Sequence, residues 1–417
     1  MIVPATIPLA EPRLSGNEAS YLAECVRSGQ VSSVGPFVGR FERAFAAAVG
    51  SRHAVACASG TAALHIALRV AGAGPGDEVP VSSFTFIASA NAISYTGARP
   101  LLVDSEPRTW NMDTQLLHDE VVRRVRRGQR PPGVVEVVHV LGHPADLEPL
   151  WTLRERFGTR ILEDAAESLG AAYACGRFGG RQVGSVGDLG CFSFNGNKVI
   201  TSGGGGMLVT DDAALADRAR HLTTQAKLPG PGYVHDLVGH NYRLTNVAAA
   251  LGLAQLEQLP AFLAAKRDLC ERYDRLLAGL PVVPPPQAAW ARPSHWLHSV
   301  LLEPASAEVP RVVDAMAAAG VQARPLWLPL HRQAPYARAP RLGGQVADRL
   351  HRQGLSLPSS VGLSTADQAT VVGALAAALV VKDPMVRTAG QQGGLGCGIA
   401  GSAARDCKSR PLASDPG

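Results

Sequence analysis

The stretch CFSFNGNKVITSGGGGMLVT, Cys191–Thr210, holds two short apolar runs on either side of a glycine-rich loop. The runs at 190–194 and 206–210 read as strands, and Lys198 sits in the loop between them. Four consecutive glycines, Gly203 to Gly206, allow the backbone to approach something bulky. A lysine that bonds to a carbonyl carbon must be partly neutral, and partial burial near other cations favours that form. Taken alone, Lys198 is equally well a surface lysine beside a hairpin loop.

Upstream of this stretch the chain alternates. An apolar run at 54–58 breaks at Ser59-Gly60-Thr61 and continues as an Ala/Leu helix to Ala71. Strand patterns follow at 78–81, 100–103, 134–141 and 160–163, with helical patterns at 87–96 and 147–157 between them. Two more helices, near 15–30 and 37–49, precede the first strand. Such alternation predicts an α/β fold with a parallel or mixed sheet covered on both faces. Downstream, a helix is expected at 212–222 and a Gly/Pro-rich loop at 223–237. A long helical pattern spans 246–279, with a break near Pro260. Residues 280–380 read as a smaller α/β unit, with a strand near 299–302 and helices near 309–319 and 365–380. The expected organisation is an N-terminal arm at 1–14, a large domain at 15–255 and a small C-terminal domain at 256–382. The tail at 383–417 lacks periodicity and is expected to be disordered.

Composition excludes several classes. Hydrophobic residues make up 46% of the 417 and charged residues 18%, enough for a sizeable core. Much of the +5 net charge is local, in Arg123, Arg124, Arg126, Arg127 and Arg130. Without interleaved aromatics that run reads as a solvated helix end, and no nucleic-acid partner is expected. Seven cysteines show no C-x-x-C spacing, which fits a reducing compartment and no metal finger. No signal peptide and no apolar run of about 20 residues is present, so no membrane span is expected and the location is expected to be cytoplasmic.

Three features converge on one chemistry. Ser59-Gly60-Thr61 opens a helix, whose free N–H groups suit a phosphate, although it is also an ordinary turn with an N-cap. Asp164, in ILEDAAE (Ile161–Glu167), ends an apolar strand where open α/β sheets place function. It suits a cationic ring nitrogen; a helix-capping role remains the alternative. Lys198 is the third. Together they describe a pyridoxal 5'-phosphate (PLP) site, with phosphate at Gly60, Thr61 and Ser193, ring nitrogen at Asp164 and aldehyde carbon at Lys198. Phe86 is placed to stack on the ring. His143, after a strand in GHPAD, reads as structural.

Seven segments carry a family resemblance: VSSVGPFVGRFE (31–42), ASGTAALHIAL (58–68), SSFTFIASANAI (82–93), EDAAESLGA (163–171), Cys191–Thr210, NYRLTNVAAALGLAQLEQL (241–259) and RPLWLPLH (324–331). From about 7 to 381 the sequence resembles the DegT/DnrJ/StrS nucleotide-sugar aminotransferases, a branch of the fold-type I (aspartate aminotransferase-like) PLP enzymes. The wording of the acidic and lysine motifs is most similar to the 4-aminotransferases of bacillosamine and legionaminic-acid pathways. The resemblance implies amino transfer from L-glutamate to C4 of a UDP-linked 4-keto-6-deoxy-N-acetylhexosamine, for surface glycan or nonulosonic-acid synthesis. The alternatives are a GDP-linked sugar giving perosamine, a 3-keto sugar, or a PLP-binding regulator without turnover. It implies that Lys198 shuttles the proton and that Asp164 pairs with the ring nitrogen. Glu167 stands where relatives often carry Gln or His near the phenolic oxygen. Asn241 would reach the phosphate across a homodimer with shared active sites, and Arg243, Trp327 and His331 would lie near the nucleotide sugar.

Overall fold

The strand-forming runs are apolar on both sides, so they persist only when both faces of their sheet are covered. The computed structural model describes residues 6–304 and 307–380. Its first strands are β1 (His53–Cys57), β2 (Glu78–Ser82), β3 (Arg99–Val103), β4 (Val134–Val138) and β5 (Arg160–Asp164). Then come β6 (Ala172–Tyr173), β7 (Leu189–Ser193) and β8 (Gly206–Thr210). The C-terminal part adds β9 (Val282–Val283), β10 (Ala291–Arg292), β11 (Ser299–Leu302), β12 (Arg324–Pro325), β13 (Arg341–Leu342) and β14 (Gly354–Ser356).

Eight strands form the main sheet in the order β1-β8-β7-β5-β4-β2-β3-β13. All its pairs are parallel except those of β8, which runs antiparallel to both β1 and β7. The change of pattern around Lys198 is therefore a reversal of chain direction. Helices Gly60–Ala71, Ala88–Tyr95 and Ala213–Thr223 bury one face with Leu64, Ile66, Leu68 and Ile93. Helices Pro36–Val49 and Asn246–Glu257 cover the other, where Phe41, Phe45, Phe192 and Phe194 interlock. The architecture is the mixed α/β class expected.

A second, antiparallel sheet runs β12-β14-β11-β9, with its own core of Val300, Leu302, Val312, Met316, Leu355 and Leu375. Strand β13 leaves this region and lies parallel to β3 in the main sheet, a crossing the sequence does not announce.

Some boundaries differ from expectation. The strand expected at 134–141 stops at Val138, and Val140–Gly142 is a tight turn with Leu141 at φ 53°. Side chains cause this: Leu141 N–H donates to Glu167 Oε2 (2.9 Å), and Ser168 Oγ donates to the His139 carbonyl (2.8 Å). The helical pattern of 246–279 divides at Gln258 into Asn246–Glu257 and Leu259–Leu276, bent by 59°. Pro260 falls in the first turn of the second helix, where its missing N–H leaves no bond unmade. Helix Gln345–Gln353 was not expected. The arginine run closes helix Thr114–Arg126, where Glu120 pairs with Arg123 and Arg124. The residues of the expected tail at 383–417 lie outside the described ones. Among the described residues no single helix is long and apolar enough to cross a membrane; the bent pair passes that test only as two helices together.

Candidate active site

A cavity of about 630 Å³ opens at the carboxyl ends of β5 and β7. Gly60, Thr61, Phe86, Asp164, Glu167, Ser193, Lys198 and Trp327 line it, so the three sequence features do meet.

At one side stands the start of helix Gly60–Ala71. Ser59 caps it, its Oγ accepting from Ala62 N–H (3.0 Å) while its carbonyl accepts from Ala63 N–H. The N–H groups of Gly60 and Thr61 have no hydrogen-bond partner among the described residues. The turn is tightly held: a methyl group at Gly60 would come within 2.8 Å of Ser193 Cβ, and one at Gly206 within 2.5 Å of the Ser59 carbonyl oxygen. Only glycine permits this close approach of β7 and β8 to the helix end.

Alternation along β5 sorts its two acids to opposite faces. Asp164 faces the cavity, buried; its Oδ2 accepts from Ser89 Oγ (2.8 Å) and its Oδ1 from Ala166 N–H (3.1 Å). Burial pushes its carboxyl above the ordinary value, against the opposing pull of those two bonds and of Lys198. Glu163 turns away and accepts from the N–H groups of Gly184, Val186 and Gly187, with His139 Nε2 at 3.0 Å. It ties a loop and leaves the site to Asp164.

Lys198 Nζ lies 3.6 Å from Glu167 Oε1 and 3.9 Å from the centre of the Trp296 ring. Burial pushes Glu167 up to about 7, although the Lys198 ammonium and the Leu141 N–H pull the other way. Trp296 was not singled out in the sequence. Its Nε1 donates to the Asn197 carbonyl (2.6 Å), and its ring stacks on Trp327 at 6.5 Å and 14°. Buried Lys266 donates to the carbonyls of Trp296 (2.8 Å) and Ser359, fixing this segment; burial lowers its pKa to about 7. Arg324 is a second lining residue that sequence reading missed.

Three expected site residues are not part of the cavity wall in this chain. Asn241 is exposed and bridges Thr224 through its backbone. Arg243 Nε donates to the Ser33 carbonyl (3.3 Å). His331 is buried, with Nδ1 2.7 Å from Ser83 Oγ and Nε2 3.3 Å from Asp348 Oδ1. His143 also lies outside it: Nε2 accepts from Ala288 N–H (3.1 Å), and burial lowers its pKa to about 4, consistent with a structural role.

Residues 12–376 match the model of the DegT/DnrJ/EryC1/StrS aminotransferase family. The chain belongs to that family. The aminotransferase is 42% identical over 377 residues to GDP-perosamine synthase of Caulobacter vibrioides, covering 90% of this chain and 98% of that protein. It is 37% identical to GDP-perosamine synthase of Escherichia coli O157:H7, covering 86% and 94%. Among solved structures, S. venezuelae DesV in complex with a ketimine intermediate superposes with a TM-score of 0.78 at 33% identity, covering 88% of this chain and 95% of that one. The aminotransferase is a PLP-dependent enzyme acting on sugars, of the fold type expected. Its residues fit that cofactor. Two N–H groups without a partner among the described residues, at a helix N-terminus, suit a phosphate, and a buried carboxyl that forms no ion pair among the described residues suits a pyridinium.

Proposed function

We propose that this aminotransferase moves the amino group of L-glutamate to C4 of a GDP-linked 4-keto-6-deoxyhexose, forming perosamine. This replaces the UDP-linked N-acetylhexosamine suggested by the motifs. The observation that carries it is the near full-length likeness to two proteins named GDP-perosamine synthase.

In this reading Gly60, Thr61 and Ser193 hold the cofactor phosphate, Asp164 holds the ring nitrogen and Phe86 stacks on the ring. PLP, when bound, supplies the ring that accepts electrons as a Cα–H bond breaks. Lys198 Nζ takes the proton from the donor Cα and later delivers one to C4 of the sugar. A positioned base of this kind contributes about 10²–10⁴-fold. Glu167, titrating near neutrality, holds or releases a proton next to Lys198 and so donates to a neighbouring oxygen for part of the time. Trp327 walls the sugar side, while His331 stays outside the wall, held by Ser83 and Asp348.

The reading includes a homodimer, a large domain at 15–255 with a small one at 256–382, and a cytoplasmic location. Exposed Tyr233, Val234, Leu237 and Val238 support the dimer, because they sit close in sequence to Asn241 and Arg243 and offer a second copy an apolar face. Asn241 and Arg243 would then serve the neighbour's cavity. A coupled transamination assay with GDP-linked and UDP-linked 4-keto sugars decides the nucleotide. Turnover with the GDP sugar is expected, and turnover with the UDP sugar alone overturns the proposal.

A further inference from the structure

The charges around the cavity are unevenly matched. Its acidic lining residues are Asp164 and Glu167, and its basic ones are Lys198 and Arg324. Lys198 already has Glu167 beside it. Arg324 forms no ion pair among the described residues.

The backbone of Arg324 is nevertheless fixed. Strand β12 pairs with β14, Arg324 opposite Ser356 and Pro325 opposite Leu355. Its neighbours Ala323 and Leu326 are buried. A firmly held backbone thus carries an exposed arginine, a residue of the cavity lining. Guanidinium stays charged at all working pH values and presents a fork of donors that matches carboxylate and phosphate oxygens.

Both substrates of the proposed reaction are anionic. The cofactor phosphate has its own place at Gly60 and Thr61, and Asp164 and Glu167 disfavour any further anion at the deep end. That leaves Arg324 as the cation this chain's own lining still offers once Lys198 is engaged in the chemistry, beside whatever Arg243 of a second copy contributes in the proposed homodimer. The distances agree between the two substrates. A distal carboxylate three bonds from Cα lies about 5 Å from it, and a phosphate on C1 of a hexose lies about 5 Å from C4. With the reacting carbon at Lys198, both anions fall in the same region.

We propose that Arg324 is a shared anion anchor. It binds the distal carboxylate of the amino donor in one half-reaction and the sugar-linked diphosphate in the other. This rests on the reading of the cavity given above. The two ligands then compete for one guanidinium, so the cavity does not hold both at once. The anchor also selects donors with a second carboxylate. Because Arg324 belongs to the smaller sheet while Asp164 ends a strand of the larger and Lys198 lies in a loop between two of its strands, each bound substrate spans the two.

The test uses the PLP-loaded enzyme with two unreactive probes, glutarate and GDP, titrated calorimetrically. Wild type should bind both, each displacing the other. Arg324→Ala should weaken both by about ten- to a hundredfold, with cofactor absorbance near about 420 nm and the melting temperature unchanged. Arg324→Lys, which keeps the charge, should recover part of the loss. An affinity within about twofold of wild type for either probe in Arg324→Ala overturns the shared anchor. If wild type binds UDP and not GDP, the nucleotide assignment fails, and the same Arg324 comparison is then read with UDP.

Discussion

Nζ of Lys198 lies 3.6 Å from Oε1 of Glu167, with 14% and 6% of their side chains exposed. A lysine that must give and take a proton has beside it a carboxyl whose pKa is about 7. The carboxyl can therefore hold or release a proton beside the amine near neutral pH. Removing the amine removes the base. Lys198→Ala should lose at least about 10⁴-fold in turnover while still binding the pyridoxamine form of the cofactor. Steady-state rates alongside absorbance at about 330 nm measure both. Substantial residual turnover would count against the assignment of Lys198.

Glu167 makes stability depend on pH with a definite sign. Its folded value is about 7 and its ordinary value 4.5, so between those values the folded chain binds the extra proton. Stability is then gained as pH falls from about 7 towards 4.5 and lost as pH rises through 7. The full difference is about 3 kcal/mol, at about 1.4 kcal/mol per unit. Melting temperatures of the cofactor-free enzyme between about pH 5.5 and 8.5 should fall with pH in wild type. They should change less in Glu167→Gln. Parallel slopes in the two proteins contradict the prediction.

Asp164→Asn keeps an oxygen that can accept from Ser89 but removes the negative charge. The variant should fold and take up cofactor. Its kcat should drop by at least about a hundredfold, because nothing then favours a protonated ring nitrogen. Single-turnover rates with L-glutamate measure this, and a drop of less than about fivefold speaks against the pairing.

Gly60→Ala should act on cofactor retention. The added methyl meets Ser193 Cβ at 2.8 Å and pushes the helix end away from β7. Overpacking of this kind costs about 1–3 kcal/mol. Cofactor loss on dialysis, followed by absorbance, should be at least about tenfold faster than in wild type. Equal retention would show that the turn can relax without cost.

The fold and the reactive centre were legible because their signals are local. Asp164 and the Ser59-Gly60-Thr61 turn each sit at a strand end and Lys198 in the loop between two strands, and such places show as breaks in apolar runs. Trp296 and Arg324 were not legible. They reach the cavity through the C-terminal part of the chain, whose placement depends on tertiary packing, including the buried Lys266 that holds the Trp296 carbonyl. The turn at Leu141 was hidden for a related reason: Glu167, distant in sequence, ends a strand that local pattern would continue. Alternation along β5 did separate the two acids in principle, but which face holds the cavity is decided by Ser89 and the neighbouring helix.

Strand β13 has a consequence for how the protein is made. Leu102 N–H donates to the Pro340 carbonyl and Asp104 N–H to the Leu342 carbonyl, both at 2.9 Å, so the outer edge of β3 is closed by residues from far down the chain. During synthesis that edge emerges long before its partner, for roughly ten to fifty seconds at about 5–20 residues per second. An open parallel edge of this kind recruits other strands. The nascent chain thus carries a sticky border until its last quarter arrives, and a product terminated before Pro340 would keep it permanently.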